Sequence, residues 1–179
     1  EAYPQPGNAY SFQATPLKVD GSLYFCSPHN IVIALEAETG RERWRHDPNI
    51  DTSGVHMLVC RGVSYHESAN AETTCSRRVL VATLDARLIA LDAETGALCS
   101  DFGKDGEVSL LDGLGEVKPG YYLVTSPPAI VGDVAVVGGF VLDNMSVGEP
   151  PGLVRGYDVA SGRLLWAWDA GRPEEAGVW

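Results

Sequence analysis

Ala34-Leu-Glu-Ala-Glu-Thr-Gly40-Arg-Glu-Arg-Trp44 returns as Ala90-Leu-Asp-Ala-Glu-Thr-Gly96-Ala-Leu-Cys99 and again as Gly156-Tyr-Asp-Val-Ala-Ser-Gly162-Arg-Leu-Leu-Trp166. The three glycines stand 56 and 66 residues apart. Self-similarity at a near-fixed period is the mark of a repeat architecture. Each copy reads as the end of a strand, a turn whose glycine takes positive φ, and a second strand bearing a large apolar residue. A repeated β-hairpin of this kind is the unit of a propeller blade.

Strand candidates extend outward from the hairpins in sets of four. The first set is Thr15–Val19, Leu23–Cys26, Asn30–Leu35 and Arg43–Arg45. The second is Cys60–Tyr65, Arg78–Thr83, Arg87–Leu91 and Leu98–Cys99. The third is Ser126–Val131, Val134–Phe140, Leu153–Asp158 and Leu164–Trp168. Short strands separated by Gly, Asp and Asn turns predict an all-β protein, a β-propeller of four-stranded antiparallel blades. The blade-like repeats cover roughly 14–48, 58–103 and 123–171. Trp44 and Trp166 occupy one slot of the repeat, which Cys99 fills in the middle copy, and packing between blades is the expected role of that slot. Three segments interrupt the pattern, His46–Cys75, Asp101–Tyr122 and Val141–Pro151. Insertions in repeat folds gather on one face, where binding sites tend to lie. Three blades do not close a ring, since propellers typically need about four to eight. The reading therefore expects a larger protein or self-association.

The 179 residues carry a net charge of −11, which argues against a nucleic-acid partner because phosphate binding needs basic patches. No apolar run reaches the length of about 18 residues that a membrane-spanning helix requires. The four cysteines form no C-x-x-C pair, which disfavours a zinc site. Cys26 and Cys99 read as buried strand residues. Cys60 and Cys75 bracket the polar tract Glu67–Thr74 and are expected to bridge it in an oxidising compartment.

Two clusters carry chemistry. Arg61 follows Cys60 in a segment that reads as buried, and a buried guanidinium needs an anion, either an internal carboxylate or a bound carboxylate or phosphate. Asp143-Asn144, after Gly138-Gly139, offer oxygen donors for a divalent cation, although Asp-Asn pairs are also ordinary turn residues. Thr125 opens a strand, where its hydroxyl either caps a turn or donates to a ligand. His66-Glu67 has no companion nucleophile or base and reads as structural.

Taken in order, Gln13-Ala-Thr-Pro-Leu-Lys18, Cys60-Arg-Gly-Val-Ser-Tyr-His66, Thr125-Ser-Pro-Pro128 and Asp143-Asn144 make the chain resemble the membrane-bound pyrroloquinoline quinone (PQQ)-dependent dehydrogenases of the glucose/quinate/shikimate group. The resemblance implies about three blades of an eight-bladed ring. It implies oxidation of a sugar or cyclic polyol, glucose first and quinate or shikimate close behind, with electrons passed to ubiquinone. It places the protein on the periplasmic side of the bacterial inner membrane. Arg61 would pair with a PQQ carboxylate, Thr125 would hydrogen-bond the cofactor, and Asp143 and Asn144 would lie at a Mg²⁺ or Ca²⁺ ion. Gln13 stands where many relatives carry Glu and would contribute an amide. Some glucose-oxidising relatives carry His three residues before the Cys; here Met57 holds that place beside His56, and either would cover the quinone face. The family's catalytic Asp, a cofactor-contacting Lys, the later blades and the membrane anchor have no counterpart in these residues. The stretch alone is thus expected to be inactive. The alternative is a non-enzymatic periplasmic scaffold propeller, which carries similar repeats and binds no cofactor.

Overall fold

The computed structural model describes residues 9–70, 75–143 and 147–175. The chain enters through β1 (Ala9–Phe12) and builds a first antiparallel blade from β2 (Leu17–Val19), β3 (Ser22–Cys26), β4 (Val32–Glu36) and β5 (Glu42–His46), hydrogen-bonded in that order. β6 (Met57–Cys60) pairs in parallel with β1 outside the blades. The second blade is β7 (Ser64–Glu67), β8 (Arg77–Ala82), β9 (Arg87–Asp92) and β10 (Glu107–Ser109). β11 (Tyr122–Leu123) pairs with β14 (Phe140–Val141). β12 (Ala129–Val131), β13 (Val134–Gly138), β15 (Leu153–Asp158) and β16 (Leu164–Asp169) form the third blade.

The repeated phrase folds the same way three times. Gly40, Gly96 and Gly162 have φ of 72°, 73° and 72°. Their amides donate to the carbonyls of Glu36, Asp92 and Asp158, whose own amides donate to those of Arg41, Ala97 and Arg163. The acid of each phrase also accepts from the hydroxyl before the glycine: Thr39 to Glu36 at 2.5 Å, Thr95 to Asp92 at 2.9 Å, Ser161 to Asp158 at 2.6 Å. The spacing of acid, hydroxyl and glycine is therefore the turn's own hydrogen-bond plan.

The middle blade lies between the other two, and its strands lose the alternation that β3 keeps. β8 and β9 are buried almost throughout. Period two sorts their side chains into two cores. Val79, Val81, Ile89 and Leu91 face Tyr24, Val32 and Trp44 of the first blade. Leu80, Ala82, Leu88 and Ala90 face Ala135, Val137 and Tyr157 of the third. Trp44 packs as expected: its indole Nε1 donates to the Ala93 carbonyl of the second blade at 3.1 Å, and its ring lies against Gly96. Trp166 holds the same slot opposite Gly156 and is half-buried.

Arginines tie the blades together. Arg78, 3% exposed, donates to the carbonyls of Cys75, Val159 and Ala160 and pairs with Asp101 at 3.0 Å. Arg155 donates to the carbonyls of Asp112 (3.1 Å) and Leu110 and to the Tyr122 hydroxyl (3.2 Å).

Three expectations are corrected. The outer strand of the second blade is not Leu98–Cys99 alone. Leu98 bridges Leu91 and Cys99 donates to Ala90, residues 100–106 loop out, and β10 returns to finish the edge of β9 beyond the expected limit at 103. Cys99 is buried but outside any strand. The strand expected over Cys60–Tyr65 is two: β6 ends at Cys60, Arg61–Val63 is irregular, and β7 starts at Ser64. Finally, the Cys60–Cys75 bridge does not form. The pairs are Cys26–Cys60 and Cys75–Cys99, with Cα atoms 5.9 and 5.8 Å apart. The reason is the two cores: Cys60 lies in the one between blades one and two, whereas Cys75 and Cys99 belong to the one between blades two and three.

Candidate functional site

A lead-in segment precedes the first strand of each blade, and the three segments run side by side. The β1/β6 register sets Phe12 opposite Cys60, so Gln13 follows level with Arg61. The Thr15 amide donates to the Arg61 carbonyl at 2.9 Å, and the Arg61 amide donates to the Thr125 carbonyl at 2.8 Å. One arginine peptide thus joins all three lead-ins. Its guanidinium Nη1 also donates to Thr125 Oγ1. Residues 64 positions apart in sequence meet through side chain and backbone at once.

Arg61 is exposed in this chain, which corrects the expectation of a buried guanidinium. Strand geometry supplies the cause. Cys60 turns inward to bond Cys26, so the next residue turns the other way. Among the described residues the Arg61 guanidinium has no carboxylate partner, and its bond to Thr125 takes one of five N–H donors. Arg87, by contrast, is held by Asp85 and Glu107. An unpaired planar fork beside a hydroxyl is a fitting receptor for a bound carboxylate.

The remaining candidates lie as follows. Gln13 is exposed, and its amide donates to Ser11 Oγ at 3.0 Å. His56 is exposed and precedes β6; Met57 opens β6 and is 48% exposed. By strand alternation Met57 shares its side with Val59 and Arg61, and His56 does not. Asp143 is exposed just beyond β14. The β11/β14 register pairs Tyr122 with Val141 and Leu123 with Phe140. Asp143 therefore lies past one end of that ladder and Thr125 past the other. Asn144 lies outside the described residues. Asp143 alone is not a cation site, and the one cluster of metal-type ligands among the described residues, Cys75, Cys99 and Asp101, is spent in a disulfide and an ion pair.

The insertions do share a region. Gly54 and Gly120 meet so closely that a Cβ on either would overlap the other loop's backbone, and Leu142 donates to Tyr121. A cavity of about 150 Å³ lies between them, lined by Asp51, Val55, Leu84, Lys118 and Tyr122. A larger one of about 480 Å³, lined by Arg87, Lys104, Glu107 and Arg163, lies between blades two and three. Neither includes Arg61 or Thr125. The lead-in site is thus an open edge in this chain. His66 is structural, as read: Nε2 meets Asp133 Oδ1 at 2.8 Å and bridges blades two and three. Burial, with Glu67 adding, pushes the Tyr65 phenol up to about 12, so it stays a donor to Glu67.

The family model for the glucose/ethanol/alcohol dehydrogenase PQQ β-propeller domain matches residues 1–179. The chain belongs to that family. It is 44% identical over 179 residues to the glycerol dehydrogenase large subunit of Gluconobacter oxydans (97% of this chain, 24% of that protein). It is 44% identical over 174 residues to the quinoprotein glucose dehydrogenase of Escherichia coli (93% and 22%). The quinate/shikimate dehydrogenase (quinone) of Acinetobacter baylyi is 39% identical over 186 residues (94% and 23%). The chain thus spans about a quarter of the length of these relatives. Among solved structures, the quinohemoprotein alcohol dehydrogenase of Comamonas testosteroni superposes with a TM-score of 0.70 at 27% identity, covering 90% of this chain and 21% of that one. BamB of Moraxella catarrhalis reaches 0.54 at 19% identity, covering 89% and 36%, a likeness of fold alone. The scaffold alternative is not favoured.

The disulfides, the interrupted edge of blade two and the exposure of Arg61 escaped sequence reasoning. Cys26 and Cys60 are 34 residues apart and carry no local signal of pairing.

Proposed function

We propose that the complete polypeptide carrying this chain is a PQQ-dependent dehydrogenase that oxidises a sugar or polyol at a C–OH carbon, and that this chain contributes part of the cofactor site. The observation that carries the reading is the unpaired Arg61 guanidinium beside Thr125, held where three lead-ins meet. Arg61 would receive a PQQ carboxylate through its remaining N–H donors. Thr125 would fix the guanidinium and offer its hydroxyl, and Gln13 would present its amide alongside. Met57, on Arg61's side of β6, would cover the ring. When bound, PQQ supplies a two-electron acceptor. The chain's own part is to bind and orient it.

Glucose leads as substrate, with quinate or shikimate next. Similarity to glycerol and glucose dehydrogenases at the same 44% supports the class of polyols and sugars. Electrons would leave to ubiquinone. Two disulfides suit an oxidising compartment, which supports the periplasmic side of the inner membrane. The Mg²⁺ or Ca²⁺ ion at Asp143 and Asn144 is proposed from the resemblance alone.

The test is PQQ binding and dye reduction by the complete polypeptide with glucose, glycerol and quinate. Arg61→Ala should weaken PQQ binding by about 1.5–3 kcal/mol, the worth of hydrogen bonds to a charged group. Unchanged affinity would refute the assignment of Arg61, and no binding by the parent would refute the function.

A further inference from the structure

Arg61 lies between two strands and belongs to neither: β6 stops at Cys60 and β7 starts at Ser64. Its backbone is held by two hydrogen bonds, from the Thr15 amide and to the Thr125 carbonyl. On the C-terminal side comes Gly62, whose φ of 155° belongs to a region that only glycine enters easily. Beyond it Val63 is buried in the core between blades one and two. On the N-terminal side β6 has only the four-residue parallel pairing with β1, and an isolated two-stranded pair is weak.

One attachment beside Arg61 is covalent. Cys60, the residue before Arg61, is bonded to Cys26, the fully buried last residue of β3 in the four-stranded first blade. We propose that the Cys26–Cys60 disulfide is a positioning element for the Arg61 guanidinium. It transfers the rigidity of the first blade to the lead-in of the second. By holding the Cys60 side chain inward, it also turns Arg61 outward. The bond thus sets both the height of Arg61 among the lead-ins and the side on which its donors appear. The proposal rests on the reading that Arg61 receives an anionic group of PQQ.

The second disulfide is a built-in comparison. Cys75–Cys99 closes 24 residues within the second blade, against the core shared with the third, and neither cysteine is a sequence neighbour of Gln13, Arg61 or Thr125. A stapling effect on stability is expected from both. An effect on the orientation of Arg61 is expected from one.

The experiment uses the complete polypeptide and PQQ itself, with binding measured by equilibrium dialysis below the unfolding temperature of every variant and folding checked by circular dichroism. Cys26→Ser/Cys60→Ser should raise the PQQ dissociation constant on the order of 10-fold, and adding Arg61→Ala to that pair should cost much less than Arg61→Ala alone, because coupled residues are non-additive. Cys75→Ser/Cys99→Ser should bind within about two-fold of the parent and show the full Arg61→Ala loss, as independent sites do. Should the serine pair fail to fold, Cys26→Ala/Cys60→Val, which refills the core with apolar volume, replaces it with the same expectations. Parent-like binding without the Cys26–Cys60 bond, equal losses from both disulfides, or additive effects with Arg61→Ala would overturn the proposal. An Arg61→Ala variant that binds as the parent does would instead strike the functional reading beneath it.

Discussion

Replacing Gly96 with alanine tests the blade interface with an internal control. Gly40, Gly96 and Gly162 share one backbone conformation but differ in what surrounds them. Around Gly40 no atom lies within 4 Å of an added Cβ. Gly40→Ala should therefore cost only the left-handed backbone penalty, about 1–2 kcal/mol. At Gly96 the same Cβ would sit 2.5 Å from the Trp44 ring. The indole is pinned by its bond to the Ala93 carbonyl and by Tyr24, 5.8 Å away between ring centroids. Overpacking adds about 1–3 kcal/mol and a displaced indole hydrogen bond about 1 kcal/mol, so Gly96→Ala should cost about 3–6 kcal/mol. Urea unfolding of this chain, followed by tryptophan fluorescence, gives both numbers. Equal losses at Gly40 and Gly96 would refute the claim that Trp44 presses on the second blade's turn.

Arg78→Ala leaves three carbonyls without its donors, while the exposed Asp101 turns to water, and should cost about 1–3 kcal/mol. Arg78→Lys should recover little of that, because a point charge cannot span them; a loss under about 1 kcal/mol would contradict the clamp. Burial, outweighing the pull of Glu107 and Asp47, holds the His46 imidazole below its ordinary 6.5. The unfolded chain then takes up the proton first, so His46's contribution is kept above that range and lost as pH falls through it. The unfolding midpoint should drop as pH falls through and below 6.5, and His46→Gln should flatten the drop. Val131, Phe140 and Trp168 are 66%, 52% and 39% exposed. By itself the chain should self-associate through such apolar surface, and a monodisperse monomer in sedimentation velocity would count against this.

The blades were legible because their hairpins carry their own instructions in acid, hydroxyl and glycine at fixed offsets. The inter-blade role of Trp44 followed from position in the repeat. Arg61 and Thr125 were legible as a pair only through family resemblance, since nothing local links residues 64 apart. What stayed hidden was tertiary. Which cysteines pair depends on which of two cores each faces, and spacing along the chain does not report that. The exposure of Arg61 depends on Cys60 facing inward, which in turn depends on Cys26. The interruption of the second blade's edge was hidden because Leu98 bridges Leu91 as an outer strand would; the chain then loops out over 100–106 and β10 completes the edge.

The grip of Arg155 on Leu110 and Asp112 bears on how this family can change its length. An irregular insertion whose carbonyls are held by a buried guanidinium, and whose Leu110 amide is taken by Ala86, cannot gain or lose a residue there without orphaning those groups. Leu114 still belongs to the core between blades two and three, and Gly115 and Glu116 beyond it are exposed. Relatives should therefore keep a constant count from Glu107 to Leu114 and vary about Gly115 and Glu116. Evolution would then reshape the rim of this face from a narrow window, leaving the blades beneath it in place.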